Sequence, residues 1–447
     1  MLNVLHMTGH LGGGVGTVVL NYLLAKSTDK SQRHSLISLD YLNDHAVEVL
    51  SQAGIPHFDR CHGNLELVKA KIQQADVVLL HWWNHPLISD LLVRNDLPEC
   101  RLALWSHISG SPAPNNFTQS IFSYPDIFIF TTPLSFFDPE FVDLPEVIKA
   151  KVSAIWSTAG VERLEGFSPK DHEGFNIGYV GNLDFTKINP GFLSLCRQID
   201  IPGLRFTVVG PLNEELSKQF KDASMGDRVR FTGHISEDEK WEELCRFDVF
   251  GYPLAPHHYG TCDQTLQEAM AVGIVPVVLN NPMESYIVKH GEVGLVAQSA
   301  TDYAACLRVL YDDPILRGRL SQQARTYAFS EYSLDRMAAN WDEVYFRLMH
   351  QPKRVKTWPS VERAAHLEPH QVFLESLGRH AGVFREYLRT ERLSRAVVES
   401  QLRSLGTRPN WRSENKSTVH QYAQFFPQDN VLHTWSDLMK GAQKGCR

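Results

Sequence analysis

The 447-residue sequence contains only seven cysteines, Cys61, Cys100, Cys196, Cys245, Cys262, Cys306 and Cys446, and no two have CxxC spacing. An odd, scattered set argues against a disulfide framework and against a cysteine zinc site. A reducing cytoplasm is the simplest compartment for it. Positive charge is also in short supply. A net charge of −7 excludes a nucleic-acid binder that works through overall charge. No apolar run reaches the roughly 18–20 residues that a membrane span needs. The opening MLNVLHMTGHLGGG has no basic start and runs straight into glycines, so it reads as a first strand and not as a signal peptide. Internal repeats and low-complexity tracts are missing too.

What remains is a globular chain. At 43% hydrophobic residues it is too apolar for disorder. Its length predicts two or three domains with cores that need no metal or disulfide. Apolar strands alternate with amphipathic helical stretches over the first 330 residues. The strands are LNVLHMTG (2–9), HSLISLDY (34–41), DVVLLHWW (76–83), RLALWSHI (101–108), DIFIFTTP (126–133) and KVSAIWS (151–157). A polar, turn-rich linker follows at 160–175. A second series comprises FNIGYVG (175–181), RFTVVG (205–210), RVRFTG (228–233), DVFGYP (248–253) and IVPVVLN (274–280). Continuous apolar strands fit parallel sheets covered on both faces. The reading is an α/β protein with two doubly wound, Rossmann-like domains, 1–165 and 166–330, facing across a cleft at the carboxyl ends of their sheets. An amphipathic crossover helix at 331–350 places Met337, Trp341, Val344 and Tyr345 on related turns.

Composition then shifts. Residues 351–416 hold 13 Lys and Arg against 7 Asp and Glu. Leu377, Ala381, Phe384 and Leu388 follow helical spacing, so 351–447 is expected to form a helical extension. Its basic excess fits either weak peripheral association with anionic lipid or a solvated face that docks on acidic surface of the same protein.

Gly12-Gly13-Gly14-Val15-Gly16-Thr17 joins the first strand to the first helix. Glycines there permit a tight turn and close approach of backbone N–H groups to an anion. A dinucleotide motif requires a glycine where Thr17 stands, although Asp40 ends the second strand as a ribose-binding acid would. The lysine of a P-loop is missing. By itself the loop leaves a phosphate site and a plain turn both open.

Three later stretches carry more information. They are Gly181-Asn182-Leu183-Asp184-Phe185-Thr186-Lys187, Phe231-Thr232-Gly233-His234-Ile235-Ser236, and Tyr259-Gly260-Thr261-Cys262-Asp263-Gln264-Thr265-Leu266-Gln267-Glu268-Ala269-Met270-Ala271-Val272-Gly273. IVPVVLN and HGEVGLVA follow them. Together with Ala159-Gly160-Val161-Glu162 at the domain junction, this resembles the retaining glycosyltransferases of family 4, which have the GT-B fold. The resemblance runs from the first strand to about residue 349, and the EAMAVG-IVPVV block is its specific part.

The resemblance implies transfer of a sugar from a nucleotide-sugar donor, a UDP- or GDP-sugar, to a hydroxyl of a glycan, lipid-linked or small-molecule acceptor. No cofactor, metal or nucleic acid is implied, and polysaccharide or glycoconjugate synthesis is the expected setting. Negative charge grows on the departing diphosphate, so a cation placed there favours the transition state; Lys187 matches the family's diphosphate lysine. Glu268 matches the second glutamate of E-x7-E, whose carboxylate accepts hydrogen bonds from ribose hydroxyls. His107, after the strand RLALWS, matches a histidine that faces the donor sugar, with His81 and His85 as rivals. Gly13 and Gly14 match paired glycines that leave room for diphosphate or acceptor. His234 and Ile235 fall in the loop that lines the nucleobase. Gly260, Thr261, Asp263 and Gln264 are expected to bind the donor, with a helix beginning near Thr261 directed at donor sugar and phosphate. On the acceptor side, Trp82, Trp83 and His85 offer stacking faces and polar groups, with core packing as the alternative for the tryptophans.

Two residues depart from the pattern. Gly260 stands where the first glutamate of E-x7-E belongs, with His257, His258 and Asp263 near enough to take over a sugar hydroxyl. Asn182 stands in place of the arginine that accompanies the lysine, and brings hydrogen bonds but no charge. These departures keep two other readings open, a non-catalytic nucleotide-sugar-binding protein and a nucleotide-sugar epimerase. The acidic run Glu237-Asp238-Glu239 after Ser236 reads as a capped helix start and not as a metal site.

Overall fold

Contacts divide the chain into two units, Met1–Trp156 with Ala338–Arg447, and Ser157–Met337. The computed structural model describes residues 1–181, 183, 187–211, 214–223, 225–256, 258, 260–359, 367–391 and 394–441.

In the first unit, β1 (Leu2–His10), β2 (Gln32–Tyr41), β3 (His57–Phe58), β4 (Val77–Trp82), β6 (Leu102–Ser106), β7 (Ile127–Phe130) and β8 (Val152–Ala154) form a parallel sheet in the order β3-β2-β1-β4-β6-β7-β8. A short strand between them, β5 (Leu97–Cys100), stands outside this sheet. Every residue of β4, β6 and β7 is buried, as strands covered on both faces require. The strand order reverses between β1 and β4, which is where an open α/β sheet makes its crevice. Helix α1 (Gly13–Lys26) begins inside the glycine loop. Gly16 permits this: a Cβ there would fall 2.3 Å from the Leu11 carbonyl oxygen. Helix α2 (Pro86–Arg94) starts with proline and is capped by His85, which accepts a hydrogen bond from the Leu87 N–H.

The second unit repeats the scheme. Strands β9 (Phe175–Val180), β10 (Leu204–Val209), β11 (Val229–Gly233), β12 (Val249–Tyr252), β13 (Val275–Leu279) and β14 (Leu295–Ala297) form a parallel sheet ordered β11-β10-β9-β12-β13-β14. Its order reverses between β9 and β12. Three helices matter for the site: α3 (Glu237–Leu244), α4 (Gln264–Val272) and α5 (Pro282–Ile287). Ser236 and Glu239 form a capping box at the start of α3, which accounts for the acidic run there.

Helix α6 (Leu334–Met349) leads the chain back to the first unit. The Leu334 N–H donates to Glu162 of the Ala159–Glu162 turn at 2.6 Å. Further along, Trp341 packs edge-on against Trp105, and the Tyr345 and Tyr22 hydroxyls are 3.0 Å apart. Strand β15 (Arg354–Lys356) then pairs antiparallel with β5. The helices that follow share the first unit's core: Phe373, Phe384, Tyr422 and Trp435 are fully buried in the same apolar cluster as Trp82, Phe117 and Phe128. The extension is thus part of this unit. Three of its basic side chains are engaged with residues from the first stretch of the chain. Lys356, 5% exposed, meets Asp126 at 2.6 Å, Arg379 meets Glu140 at 2.9 Å, and Lys353 donates to the Ala75 carbonyl. Of the four apolar residues spaced along the extension, Leu377, Ala381 and Phe384 are buried, whereas Leu388 is exposed. Among the described residues the six cysteines are buried and form no disulfide. Among those residues no helix is long and apolar enough to cross a membrane.

Candidate active site

In the second unit, polar side chains gather at the carboxyl ends of β9 and β12, where the strand order reverses. Lys187 follows β9, and its Nζ lies 5.4 Å from the centre of the Tyr252 ring at the end of β12. The Tyr252 hydroxyl donates to Asp263 Oδ1 at 3.3 Å. Asp263 precedes α4 in a left-handed conformation (φ 39°) and makes no side-chain cap to that helix. Its carboxylate therefore turns towards His258, whose Nε2 is 3.7 Å from Asp263 Oδ2. On the other side of the ring, His258 Nδ1 is 3.4 Å from Glu284 Oε1 of α5.

These three side chains are at most 4% exposed. Burial disfavours a charged His258, but Asp263 and Glu284 outweigh it, and the net shift of the imidazole is upward. For Asp263 burial acts upward, while His258 and Lys187 outweigh it and draw the carboxyl below its usual range. Burial pushes Glu284 up to about 7. The arrangement is an imidazole ring between two carboxyl groups that differ in proton affinity. His258 Nε2, Asp263 Oδ2 and Glu284 Oε2 are each buried without a hydrogen-bond partner. Such groups carry an uncompensated desolvation cost and suit ligand hydroxyls. The donor atoms lie within 4.8 Å of one another, close enough for a cation.

Gly260 adjoins this cluster. A Cβ on it would fall 2.2 Å from His258 Nε2 and 2.9 Å from Asp263 Oδ1. Glu268, 6% exposed on α4, forms an ion pair with Lys240 of α3 at 2.8 Å. Gln267 beside it donates to the Ser157 and Cys262 carbonyls, which ties α4 to the start of the unit. Thr261 and Gln264 are half-buried at the approach to α4, Ile235 is half-buried after β11, and His234 is exposed. Asn182 and His257 lie outside the described residues.

The first unit gathers a different set at the carboxyl ends of β1, β4 and β6. Trp83, half-buried, makes edge contacts with the rings of His10 at 5.2 Å, His85 at 5.7 Å and His107 at 6.3 Å. Trp82 points the other way and packs against Phe117 in the core. His85, besides capping α2, faces Asp40 at 3.7 Å. Gly13 and Gly14 are exposed on the first turn of α1. His10 is a site-edge residue that sequence reasoning passed over. Its Nδ1 accepts from the Gly12 N–H at 3.0 Å, and burial lowers its pKa to about 4. The signal is its place one residue, Leu11, ahead of the glycine loop. His107 lies just past β6, with burial lowering its pKa to about 3. His81 is an interior residue of β4 and is hydrogen-bonded to His107.

Residues 161–327 match the family model of Glycosyl transferases group 1.

No curated protein matches in a sequence comparison. Solved structures do. A glycosyltransferase from Rickettsia africae is 12% identical with a TM-score of 0.62, over 78% of this chain and 99% of that one. HepE from Anabaena, solved in complex with UDP-glucose, is 16% identical with a TM-score of 0.61, over 78% of this chain and 100% of that one. Sucrose-phosphate synthase from Thermosynechococcus elongatus is 16% identical with a TM-score of 0.57, over 78% and 99% respectively. At these identities the likeness is one of fold, and the fold is GT-B, with two Rossmann-like domains.

Proposed function

We propose that this protein is a retaining glycosyltransferase that moves a sugar from a nucleotide-sugar to a hydroxyl acceptor, in polysaccharide or glycoconjugate synthesis and without a metal. The observation that carries this reading is the Lys187–His258–Asp263–Glu284 cluster at the sheet's switch point, inside the segment that matches the glycosyltransferase model. Lys187 offers positive charge to the departing diphosphate. The unpartnered atoms of His258, Asp263 and Glu284 offer both donors and acceptors to sugar hydroxyls, at the place where Gly260 removes a family glutamate. Glu268 accepts from the ribose, and Lys240 holds its carboxylate in position. His234 and Ile235 line the base. Thr261 and Gln264 approach the donor, and His107, Trp83 and His85 with the Gly13–Gly14 turn serve the N-terminal side of the reaction. HepE was solved with UDP-glucose, which favours a UDP-sugar.

The test is nucleoside diphosphate release from a panel of nucleotide-sugars, with and without hydroxyl acceptors, and NMR of the product's anomeric proton. Acceptor-dependent release with retained configuration is the expected result. Donor conversion without an acceptor makes the protein an epimerase, and tight binding without turnover makes it a binding protein.

A further inference from the structure

Four histidines form a continuous hydrogen-bonded row through the sheet of the first unit. His34 Nδ1 is 2.9 Å from His6 Nε2, His6 Nδ1 is 2.9 Å from His81 Nε2, and His81 Nδ1 is 3.1 Å from His107 Nε2. They come from neighbouring chain segments, β2, β1, β4 and the residue after β6. Strand register explains the alignment. His34 pairs with Val4, two residues before His6; His6 pairs with Leu79, two before His81; His81 pairs with Trp105, two before His107. A two-residue stagger keeps every ring on one face of the sheet. The row therefore climbs diagonally from the interior of β2 to the carboxyl edge at β6.

The row has a polarity, and its far end sets it. His34 Nε2 is 3.1 Å from Gln32 Oε1, and Gln32 Nε2 is 2.6 Å from Asp342 Oδ1. Asp342 is held by Lys26 at 2.7 Å. A carboxylate only accepts, so the Gln32 amide nitrogen must face it and the Gln32 oxygen must face His34. The Gln32 oxygen also only accepts, so His34 carries its proton on Nε2. Its Nδ1 then accepts from His6 Nε2–H, and the same reasoning passes through His6 and His81 to His107 Nε2–H. Neutral rings are needed for this, and burial provides them. It lowers His6 and His81 well below the usual range, with neighbouring histidines adding to the effect, and it lowers His34 to about 4 and His107 to about 3. The other groups around the row are Tyr22 and Tyr345 beside His6 and His34, Lys26 and Asp29 near His34, and the Trp105 and Trp83 rings beside His107.

We infer that the row is a tautomer lock: Asp342, through Gln32, His34, His6 and His81, fixes His107 with a bare Nδ1 lone pair at the carboxyl edge of β6, where it accepts a hydrogen bond from a sugar hydroxyl. His6, His34 and His81 are positioning residues that act through His107. The hydroxyl ligand rests on the proposed glycosyltransferase reading; the lock itself does not.

Long-range ¹H–¹⁵N correlation on the full-length protein with ¹⁵N-labelled histidine separates the two. At pH 7 all four rings are expected as Nε2–H tautomers. Gln32→Leu, at the half-buried start of β2, removes the anchor and should give mixed tautomers at His107. His6→Phe should do the same while leaving His34 locked. With a competent fraction near one half, the apparent affinity of either variant for the nucleotide-sugar should weaken about twofold or more, with affinity for the sugar-free nucleoside diphosphate unchanged. A protonated His107 Nδ1 in the wild type overturns the lock even if neither variant folds. An unchanged His107 tautomer in both folded variants overturns it as well. A confirmed lock in a protein that transfers no sugar overturns only the hydroxyl assignment.

Discussion

Gly260 lies so close to His258 that a β-carbon on it would fall 2.2 Å from the imidazole Nε2. The position where the resemblance leads one to expect a glutamate is thus one where the neighbouring ring has taken the space. Gly260→Ala should force His258 off its rotamer, at about 0.5–1.5 kcal/mol. Donor KM should rise roughly two- to tenfold while circular dichroism stays that of the wild type. Unchanged donor kinetics count against a role for His258 in donor binding.

Lys187→Ala should lower kcat by about 10²–10³, as for loss of one preorganised charge stabiliser. Steady-state rates at saturating donor measure it. A normal kcat removes Lys187 from the leaving-group role.

Glu268→Ala should weaken binding of the nucleoside diphosphate. Two charge-assisted hydrogen bonds contribute on the order of 1.5–3 kcal/mol each, so a loss of tenfold or more is expected in calorimetry with UDP. Lys240→Met leaves the carboxylate but removes its 2.8 Å partner, and should produce a smaller loss in the same direction. Equal affinity of wild type and Glu268→Ala contradicts the ribose role.

The two units should respond to pH in opposite senses. His6, His10, His34, His81, His85 and His107 are all lowered by burial, so below about pH 6.5 the unfolded chain binds more protons than the folded one. The first unit loses stability as pH falls. In the second unit Glu284 is raised from 4.5 to about 7 and His258 is raised from 6.5. Their contribution is full below the unfolded values and is lost as pH rises through the folded ones. Asp263, lowered, matters only in stronger acid, below its unfolded value of 3.8. Hydrogen exchange, corrected for intrinsic rates, should show less protection at pH 5 than at pH 8 in peptides from 1–156. The reverse is expected for peptides from 157–337, and Glu284→Gln should flatten it.

Much of this molecule is legible in one dimension. Runs such as VVLLHW and VPVVL are apolar on both faces and announce buried parallel strands, and Ser236 with Glu239 announces a capped helix. The Lys187 and Glu268 positions are visible because their neighbours form recurrent blocks. Glu284 is not visible, since Pro-Met-Glu-Ser has no telling spacing and its importance comes from β13 delivering it beside His258. The histidine row is hidden for the same reason. His6, His34, His81 and His107 are far apart in sequence, and only strand register aligns them. One trace does exist: a histidine inside an otherwise apolar strand must find a partner there, because an unpartnered buried polar group is costly.

The first unit is interrupted in sequence. Its opening stretch ends at Trp156, and its closing stretch begins at Ala338, with apolar residues from both in one cluster. At about 5–20 residues per second, a ribosome needs roughly 15–60 s between releasing the first stretch and completing the last helices. During that interval the nascent sheet carries uncovered aromatic surface, while the inserted second unit has its whole chain as soon as Met337 is made. Newly made protein is therefore expected to depend on chaperone protection at its amino-terminal end first.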